Sequence, residues 1–158
     1  MELSHRAATF ADLAIVCTFA TSAEELFYCF PKARFPLTEA QLEQAVRERA
    51  GATVVELDGD VVGFADFYRW QHGGACAIGN VMVAPQARGR GVGRYLIQQM
   101  VVLATSRYQA REVQVSCFNQ NLAGLLFYPR LGFEPYGLEP RTAPDGTPVA
   151  LIHFRWLP

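Results

Sequence analysis

The stretch Arg88-Gly89-Arg90-Gly91-Val92-Gly93-Arg94 decides the fold of this chain. It follows Val81-Met82-Val83-Ala84-Pro85, a β-branched run closed by proline, which is typical of a strand end. It precedes a segment from Tyr95 onward in which apolar residues recur at helical spacing. A strand, a glycine turn and a helix in this order place several backbone N–H groups at a helix start, where the helix dipole favours an anion. The sequence therefore predicts that this turn binds a phosphate group.

The residue types of the turn suit such a ligand, because its glycines let the backbone come close and its arginines add positive charge. Two familiar phosphate motifs are absent. A P-loop needs Gly-Lys followed by Ser or Thr, which the turn lacks. The G-x-G-x-x-G dinucleotide fingerprint fails from Gly89 and from Gly91, because its last position is then Arg94 or Leu96. Taken alone, the turn is equally consistent with a helix start whose basic side chains are solvated.

The size and composition of the chain predict one globular domain over residues 1–158, because 51% of the residues are hydrophobic and 18% are charged. The net charge of -1 gives no basic field for nucleic acid or for an anionic membrane surface. The four cysteines and three histidines stand far apart, so no metal site is expected. No apolar run approaches the ~18 residues of a membrane span. The charged N-terminus is unlike a secretory signal, which favours a cytoplasmic protein.

The remaining patterns predict a mixed α/β fold, in which a central, mostly antiparallel twisted sheet of six or seven strands is flanked by four helices. Thr38-Glu39-Ala40-Gln41 is a capping box that begins a helix, and Asp58-Gly59-Asp60 is a hairpin turn. The aromatic segment 23–35 is interpreted as a loop or broken helix. In chain order the expected elements are a strand at 4–9, helices from 12 and from 38 to a stop at Gly51, strands at 53–57, 61–70 and 75–83, a helix from 95, a strand at 112–118, a helix at 121–130, and strands ending at 139 and 156.

Two motifs at compatible spacing carry a resemblance to the GCN5-related N-acetyltransferases, the GNAT family. Arg88-x-x-Gly91-x-Gly93 matches the R/Q-x-x-G-x-G/A signature of that family in the same strand–turn–helix context. The family's second pattern, N-x-x-A-x-x-L-Y-x-x-x-G-F, is resembled by Asn121, Gly124, Phe127-Tyr128 and Gly132-Phe133. The expected order of elements is similar as well. The resemblance covers nearly the whole chain and implies the acyl-CoA N-acyltransferase fold.

The resemblance also implies a reaction, in which a primary amine attacks acetyl-CoA directly and no metal takes part. It implies that Val81, Met82 and Val83 hold the pantetheine arm like an added strand, and that the turn amides from Arg88 to Arg94 hold the pyrophosphate. Asn121 would bind the arm of coenzyme A, and Tyr128 would protonate the leaving thiolate as general acid. Judged without the family, Asn121 is equally a helix N-cap, and Tyr128 is better explained as a half-buried aromatic that holds a helix to the sheet.

The general base is where the sequence departs from the family. Relatives often carry a Glu on the strand before the glycine turn, where this chain reads Ala77-Ile78-Gly79-Asn80. Enzymes that act on protein N-termini often place a Glu five residues before the Asn, and this position is Ser116. Asn80 and Ser116 could hold a water but are not strong bases. Weaker candidates are the carboxylates of Glu24, Glu25 and Asp66. We therefore expect water-mediated deprotonation or a substrate that is already partly neutral.

The acceptor is left open by the sequence, beyond the expectation of a small-molecule or peptide amine. The early segment 24–30 could line its site. Phe64, Asp66, Tyr68 and Trp70 share one face of a strand by alternation and would suit a cationic amine, unless they are core residues. Two alternatives to an active enzyme remain: a catalytically silent CoA-binding regulatory module, and a turn that binds another phosphate ligand. A homodimer, common in such enzymes, could form through the C-terminal strand.

Overall fold

The computed structural model describes residues 2–158, which fold around one sheet. Its strands are β1 (Leu3–Ala7), β2 (Ala50–Leu57), β3 (Asp60–Trp70), β4 (Ala75–Val83), β5 (Glu112–Phe118), β6 (Glu134–Thr142) and β7 (Pro148–Trp156). In space these seven strands of the described chain lie in the order β1-β2-β3-β4-β5-β7-β6. Every neighbouring pair is antiparallel except β4 and β5, which run parallel. The predicted mixed, mostly antiparallel sheet is confirmed.

The α-helices number five in residues 2–158, one more than the sequence predicts. They are α1 (Leu13–Val16), α2 (Ala23–Cys29), α3 (Glu39–Glu48), α4 (Val92–Arg107) and α5 (Leu122–Arg130). The additional helix is α2, in the segment expected to be a loop or broken helix. It begins because the Ser22 hydroxyl accepts a hydrogen bond from the Glu25 backbone N–H at 3.1 Å. It is short because Pro31 follows directly and cannot continue a helix.

Helix α3 begins where the capping box predicts, with the Thr38 hydroxyl accepting from the Gln41 backbone N–H at 3.3 Å. Its predicted end is wrong, because the helix stops at Glu48 and Gly51 belongs to β2. Gly51 has a φ of +66°, and a Cβ there would come within 2.6 Å of the Phe67 ring. Glycine is required at this position for close approach to a core aromatic rather than for ending a helix.

The hairpin between β2 and β3 turns at Asp58 and Gly59, as predicted. Both residues have positive φ angles, 52° and 91°, which is the backbone that a tight two-residue hairpin turn requires. A Cβ added at Gly59 would meet nothing within 4 Å in the described part of the chain. This turn is therefore an open surface feature.

The parallel strands β4 and β5 diverge, and this divergence positions the site. Among the described residues their register consists of three pairs, the last of which is Ala77 with Gln114. Beyond this pair β4 continues along β3 to Val83, while β5 continues along β7 to Phe118. The facing edges of the two strands are thereby left open toward their carboxyl ends.

Helix α4 covers one face of the sheet and carries the glycine turn at its start. Leu96, Ile97 and Met100 are each at most 1% exposed, and burial of such a side chain stabilises the fold by about 1.5–3 kcal/mol. The turn before the helix is thus anchored by the core. No helix within residues 2–158 has the length and apolar character needed to cross a membrane.

Candidate active site

The glycine turn is open toward solvent and leaves amide groups for an anion. Gly89 and Gly91 have φ angles of 74° and 82°, and a Cβ on either would meet nothing within 4 Å in residues 2–158. Gly91 is the N-cap of α4, and no side chain of the described residues caps this helix. The N–H groups of the first turn, from Val92 to Arg94, therefore lack intrahelical acceptors. A helix of sixteen residues also presents a partial positive charge there. The geometry suits a phosphate.

Arg88 does not extend its side chain toward that opening. Its guanidinium pairs with both carboxylate oxygens of Glu25, each at 3.2 Å, and its Nη2 also lies 3.5 Å from the Phe19 carbonyl oxygen. The hydrogen bonds from Arg88, and then from Thr21, lower the pKa of Glu25 to about 2. Arg88 thus ties the turn to helix α2. Glu25, expected as a weaker candidate base, is a poor base at neutral pH.

A cavity of about 820 Å³ opens where β4 and β5 diverge. Residues from β4, including Asn80 and Val81, form one wall, and residues of β5, including Ser116 and Cys117, form another. Tyr28 and Phe30 of the early segment also line it. Val81 and Val83 are half-buried, whereas the Met82 side chain is 3% exposed and packs in the core. Only the backbone of Met82 can therefore face a ligand.

Tyr128 and Asn121 both lie on α5 or at its start and both line this cavity. Asn121 Oδ1 accepts a hydrogen bond from the Gly124 backbone N–H at 3.2 Å, so its N-cap role is confirmed. Tyr128 is 8% exposed and packs edge-on against Phe133 at 6.0 Å between ring centroids. Burial raises the pKa of its phenol well above the usual value. The phenol therefore carries its proton at neutral pH, as a general acid must, while the raised pKa makes it a weaker acid than a free phenol.

Two cysteines also line the cavity. Burial raises the pKa of the Cys29 thiol to about 12 and that of the Cys117 thiol to about 11. A thiol attacks a thioester as its thiolate, and these two groups stay protonated at neutral pH. The cavity thus offers no activated cysteine that would accept the acyl group ahead of an amine.

Asp66 is buried behind the cavity and is paired. Its carboxylate accepts from Arg49 Nη1 at 3.1 Å and from Asn80 Nδ2 at 3.2 Å, and its side chain is fully buried. Burial raises its pKa to about 6, while Arg49 and Asn80 oppose that rise. The Arg49 guanidinium lies 5.7 Å from the ring centroids of both Phe30 and Tyr68. Asp66 therefore holds Arg49 in the cavity wall.

Three of the four β3 residues that the sequence offers for binding a cationic amine lie outside the cavity lining. Phe64 and Asp66 are each 0% exposed and belong to the interior, as the core alternative holds. Of the described residues that line the cavity, only Tyr68 comes from that set, since Trp70 is exposed elsewhere. Alternation does not separate core from cavity here, because β3 is a central strand in which residues 62–67 are buried on both faces.

Ser116, His153 and Glu139 form a hydrogen-bonded chain that the sequence does not reveal. Ser116 Oγ lies 2.7 Å from His153 Nδ1, and His153 Nε2 lies 2.9 Å from Glu139 Oε1. Arg141 pairs with Glu139 at 3.2 Å and, as the main cause, lowers the pKa of that carboxyl. All four residues line the cavity. The sequence indicates only that Ser116 stands in a family base position. His153 could be found only with the register that places it opposite Ser116.

The charged side chains that line the cavity are predominantly basic. They are Lys32, Arg49, Arg69, Arg141, Glu48 and Glu139. Asp66 neutralises Arg49 and Glu139 pairs with Arg141, so Lys32 and Arg69 against Glu48 leave a small excess of positive charge, which favours a ligand with a negative charge. Within residues 2–158, no three His, Cys, Asp or Glu side chains come together to hold a metal ion.

Comparison with known proteins identifies a family and several solved structures of similar fold. A family model described as the acetyltransferase (GNAT) family matches residues 17–133. A GCN5-related N-acetyltransferase from Kribbella flavida is 28% identical, with a TM-score of 0.77 over 99% of this chain and 98% of that one. The ribosomal-protein-alanine N-acetyltransferase from Brucella melitensis is 23% identical, with a TM-score of 0.76 over 98% and 99% of the two chains. The protein yncA from Salmonella typhimurium, solved with its cofactor acetyl-CoA, is 21% identical, with a TM-score of 0.76 over 99% and 94%.

Proposed function

The chain belongs to the acetyltransferase (GNAT) family, and from this premise we propose that it transfers the acetyl group of acetyl-CoA to the primary amine of a small molecule by direct attack. The observation that carries the proposal is that β4 links the cavity to the glycine turn, because Asn80 and Val81 of β4 line the cavity and the turn follows the end of the same strand at Val83. One strand thus leads from a cavity of substrate size to an anion site. Two substrates can thus be held with their reacting groups together.

The donor half of the proposal assigns acetyl-CoA to the open edge of β4 and to the turn. The backbone of Val81, Met82 and Val83 would hold the pantetheine arm, because this edge lacks a strand partner beyond Ala77 in the described chain. The amides from Arg88 to Arg94 would hold the pyrophosphate. Since Arg88 is engaged by Glu25, the exposed arginines Arg90 and Arg94 would supply the remaining positive charge.

The acid of the reaction would be Tyr128. Its phenol is protonated at neutral pH and lines the cavity into which the thioester would project. When the amine has displaced the thiolate, the phenol would transfer its proton to the sulfur. Asn121 keeps its side-chain Nδ2 group available while its Oδ1 caps α5, so it can also bind the arm of coenzyme A.

The acceptor would be a small primary amine that also carries an anionic group, such as a carboxylate. The small basic excess of the cavity supports this class, because a polyamine would meet like charge at Lys32 and Arg69. This replaces the cationic amine expected from the sequence, since Asp66 is already neutralised by Arg49.

A screen of amines tests the proposal by measuring release of free coenzyme A thiol. Acidic α-amino acids are expected to be acetylated faster than diamines and polyamines. Tyr128→Phe is expected to lower kcat by about 100-fold or more, the usual contribution of a general acid, with the affinity for acetyl-CoA unchanged. Tyr108→Phe is the matched control, because Tyr108 packs on Phe67 behind the sheet. Acetyl-CoA binding without turnover of any amine would instead support the silent CoA-binding module.

A further inference from the structure

We propose that Ser116, His153 and Glu139 form a proton relay that deprotonates the acceptor amine. The inference rests on the proposed function, because it supplies the base that direct attack by an amine requires. An ammonium group at neutral pH has no lone pair for the thioester carbonyl, so its proton must leave first.

The three side chains are aligned by the sheet itself. Ser116 of β5 lies opposite His153 of β7 in the register, and Glu139 of β6 lies close to the same residue of β7. The contacts of 2.7 Å and 2.9 Å are within ordinary hydrogen-bond lengths. The His153 ring also stacks on Tyr136 at 5.8 Å between centroids. The imidazole is thus held by three strands of one sheet, which fixes its orientation.

The partners of His153 define which atom donates and which accepts in each of its two hydrogen bonds. An ionised carboxylate only accepts hydrogen bonds, so His153 Nε2 must donate to Glu139. In the neutral imidazole Nδ1 is then an acceptor, and it accepts from the Ser116 hydroxyl. The lone pairs of Ser116 Oγ remain for a donor in the cavity, which Ser116 lines. An ammonium N–H is such a donor.

The proton transfer balances without any further reactant. The ammonium N–H bond breaks and its proton passes to Ser116 Oγ, as the original Ser116 hydroxyl proton passes to His153 Nδ1. Ser116 returns to a neutral hydroxyl, the amine keeps the electron pair, and His153 becomes an imidazolium that Glu139 stabilises. The His153 side chain is 23% exposed and the Glu139 side chain is 44% exposed, so the proton can leave to solvent after each turnover.

Other carboxylates at or close to the cavity have hydrogen-bond partners of their own, and that of Glu48 accepts from Gln44 Nε2 at 3.1 Å. Glu25 is held by Arg88 and Asp66 by Arg49 and Asn80. Ser116 also occupies the sequence position at which some family members place a glutamate. The relay puts a proton acceptor behind that position, with a serine hydroxyl in place of the carboxylate.

His153→Gln is the direct test, because glutamine keeps hydrogen-bonding groups but cannot take up the proton. With the best amine of the screen, kcat/KM at about pH 7 is expected to fall by about 100-fold or more, while the affinity for acetyl-CoA stays unchanged. The deficit in kcat/KM is expected to shrink as the pH rises toward the pKa of a free alkyl amine, about 10, because the amine then loses its proton without help. A merely structural role of His153 would leave the deficit constant. His72→Gln is the matched control, since His72 is exposed in the β3–β4 turn outside the cavity lining.

Four charged or titratable groups lie around His153. These groups are Glu139, Arg141, Tyr136 and Arg155. Glu139→Gln keeps an acceptor for Nε2–H but removes the negative charge, so a smaller loss than in His153→Gln is expected. If Glu139→Gln lost as much activity as His153→Gln, with no recovery at high pH in either variant, the hydrogen-bonded series Ser116, His153 and Glu139 would have a structural role only.

The tautomer of His153 provides a readout that does not depend on turnover. Nitrogen-15 NMR of the wild-type imidazole is expected to show the proton on Nε2 in the neutral ring. A proton on Nδ1 would overturn the relay, because Ser116 could then pass no proton to His153. Full turnover in His153→Gln at about pH 7 would overturn the relay while leaving the acetyltransferase intact. Failure of the proposed function would show differently, as absence of turnover in the wild-type chain, and would remove the relay's role with it.

Discussion

Replacement of Asp66 by asparagine removes one charge from the interior and keeps the shape of the side chain. Asp66 is 0% exposed, and its pKa is raised to about 6 by burial even though Arg49 and Asn80 donate to it. An aspartate in the unfolded chain has its ordinary pKa of 3.8. The folded state therefore disfavours the ionised form. The stability that the protonated carboxyl of Asp66 contributes is therefore fully present below about pH 4 and is lost as the pH rises through about 6.

The size of that loss follows from the two pKa values. The difference between 3.8 and about 6 corresponds to about 3 kcal/mol. Asparagine cannot ionise, so the free energy of unfolding of Asp66→Asn, relative to that of the wild-type chain, is expected to rise by about 3 kcal/mol between about pH 4 and about pH 7.5. Urea unfolding at both pH values measures the gain, and the difference between the two chains cancels the titration of all other groups. Glu43→Gln is the control, because Glu43 pairs with Arg47 on an exposed helix face.

Two results would refute this reasoning about Asp66. Parallel stability profiles of the two chains would show that its carboxyl has an ordinary pKa. If the wild-type chain became more stable relative to the variant as the pH rises, Arg49 would stabilise the charge of Asp66 more than burial opposes it. The same variant tests whether Asp66 is the general base. We expect kcat within about tenfold of the wild-type value, whereas loss of a base would lower it by about 100-fold or more.

Two further perturbations test contacts that hold the fold together. Asp12 accepts from two nitrogens of Arg6, which is the main reason that its pKa is lowered to about 2. The stability that the ionised carboxylate contributes is present above about pH 4 and is lost toward pH 2. Asp12→Asn should therefore destabilise the chain by about 2 kcal/mol in urea unfolding at neutral pH, and should flatten the fall of stability at acid pH (the acid limb). An unchanged acid limb would contradict this. Gly124→Ala would bring a Cβ within 2.6 Å of Cys117 Sγ, so thermal unfolding should show a loss of about 1–3 kcal/mol despite the better helix propensity of alanine. Gly137→Ala, which has open space in the described chain, should change stability little; equal effects of the two would refute the close approach of α5 to β5.

Short-range patterns are sufficient to predict most of the fold. The capping hydroxyl of Thr38 and the turn at Asp58 and Gly59 each act within a few residues, so the sequence displays them directly. The glycine turn before α4 is of the same kind. Gly51 is the exception, because its requirement for glycine comes from the Phe67 ring, a contact across two strands that local spacing does not encode.

The acceptor side of the site depends on contacts between distant segments and is less predictable. Glu25 and Arg88 are 63 positions apart, and their pairing removes both from the roles suggested by residue type. Ser116 and His153 meet only because β5 and β7 pair with a particular register. Scattered histidines in a sequence carry no sign of such a register. The donor half, by contrast, is concentrated in continuous segments.

Calorimetric titration of acetyl-CoA into three forms of the chain tests the central claim most directly. The wild-type chain is expected to bind. Gly59→Glu is expected to bind equally well, because Gly59 shares a positive φ and an open surface with Gly91 but lies in a distant hairpin. Gly91→Glu is expected to lose at least about tenfold in affinity, since its carboxylate would face the phosphates at the start of α4. No measurable affinity in the wild-type chain, or equal affinities in the two variants, would contradict the assignment of the glycine turn to coenzyme A.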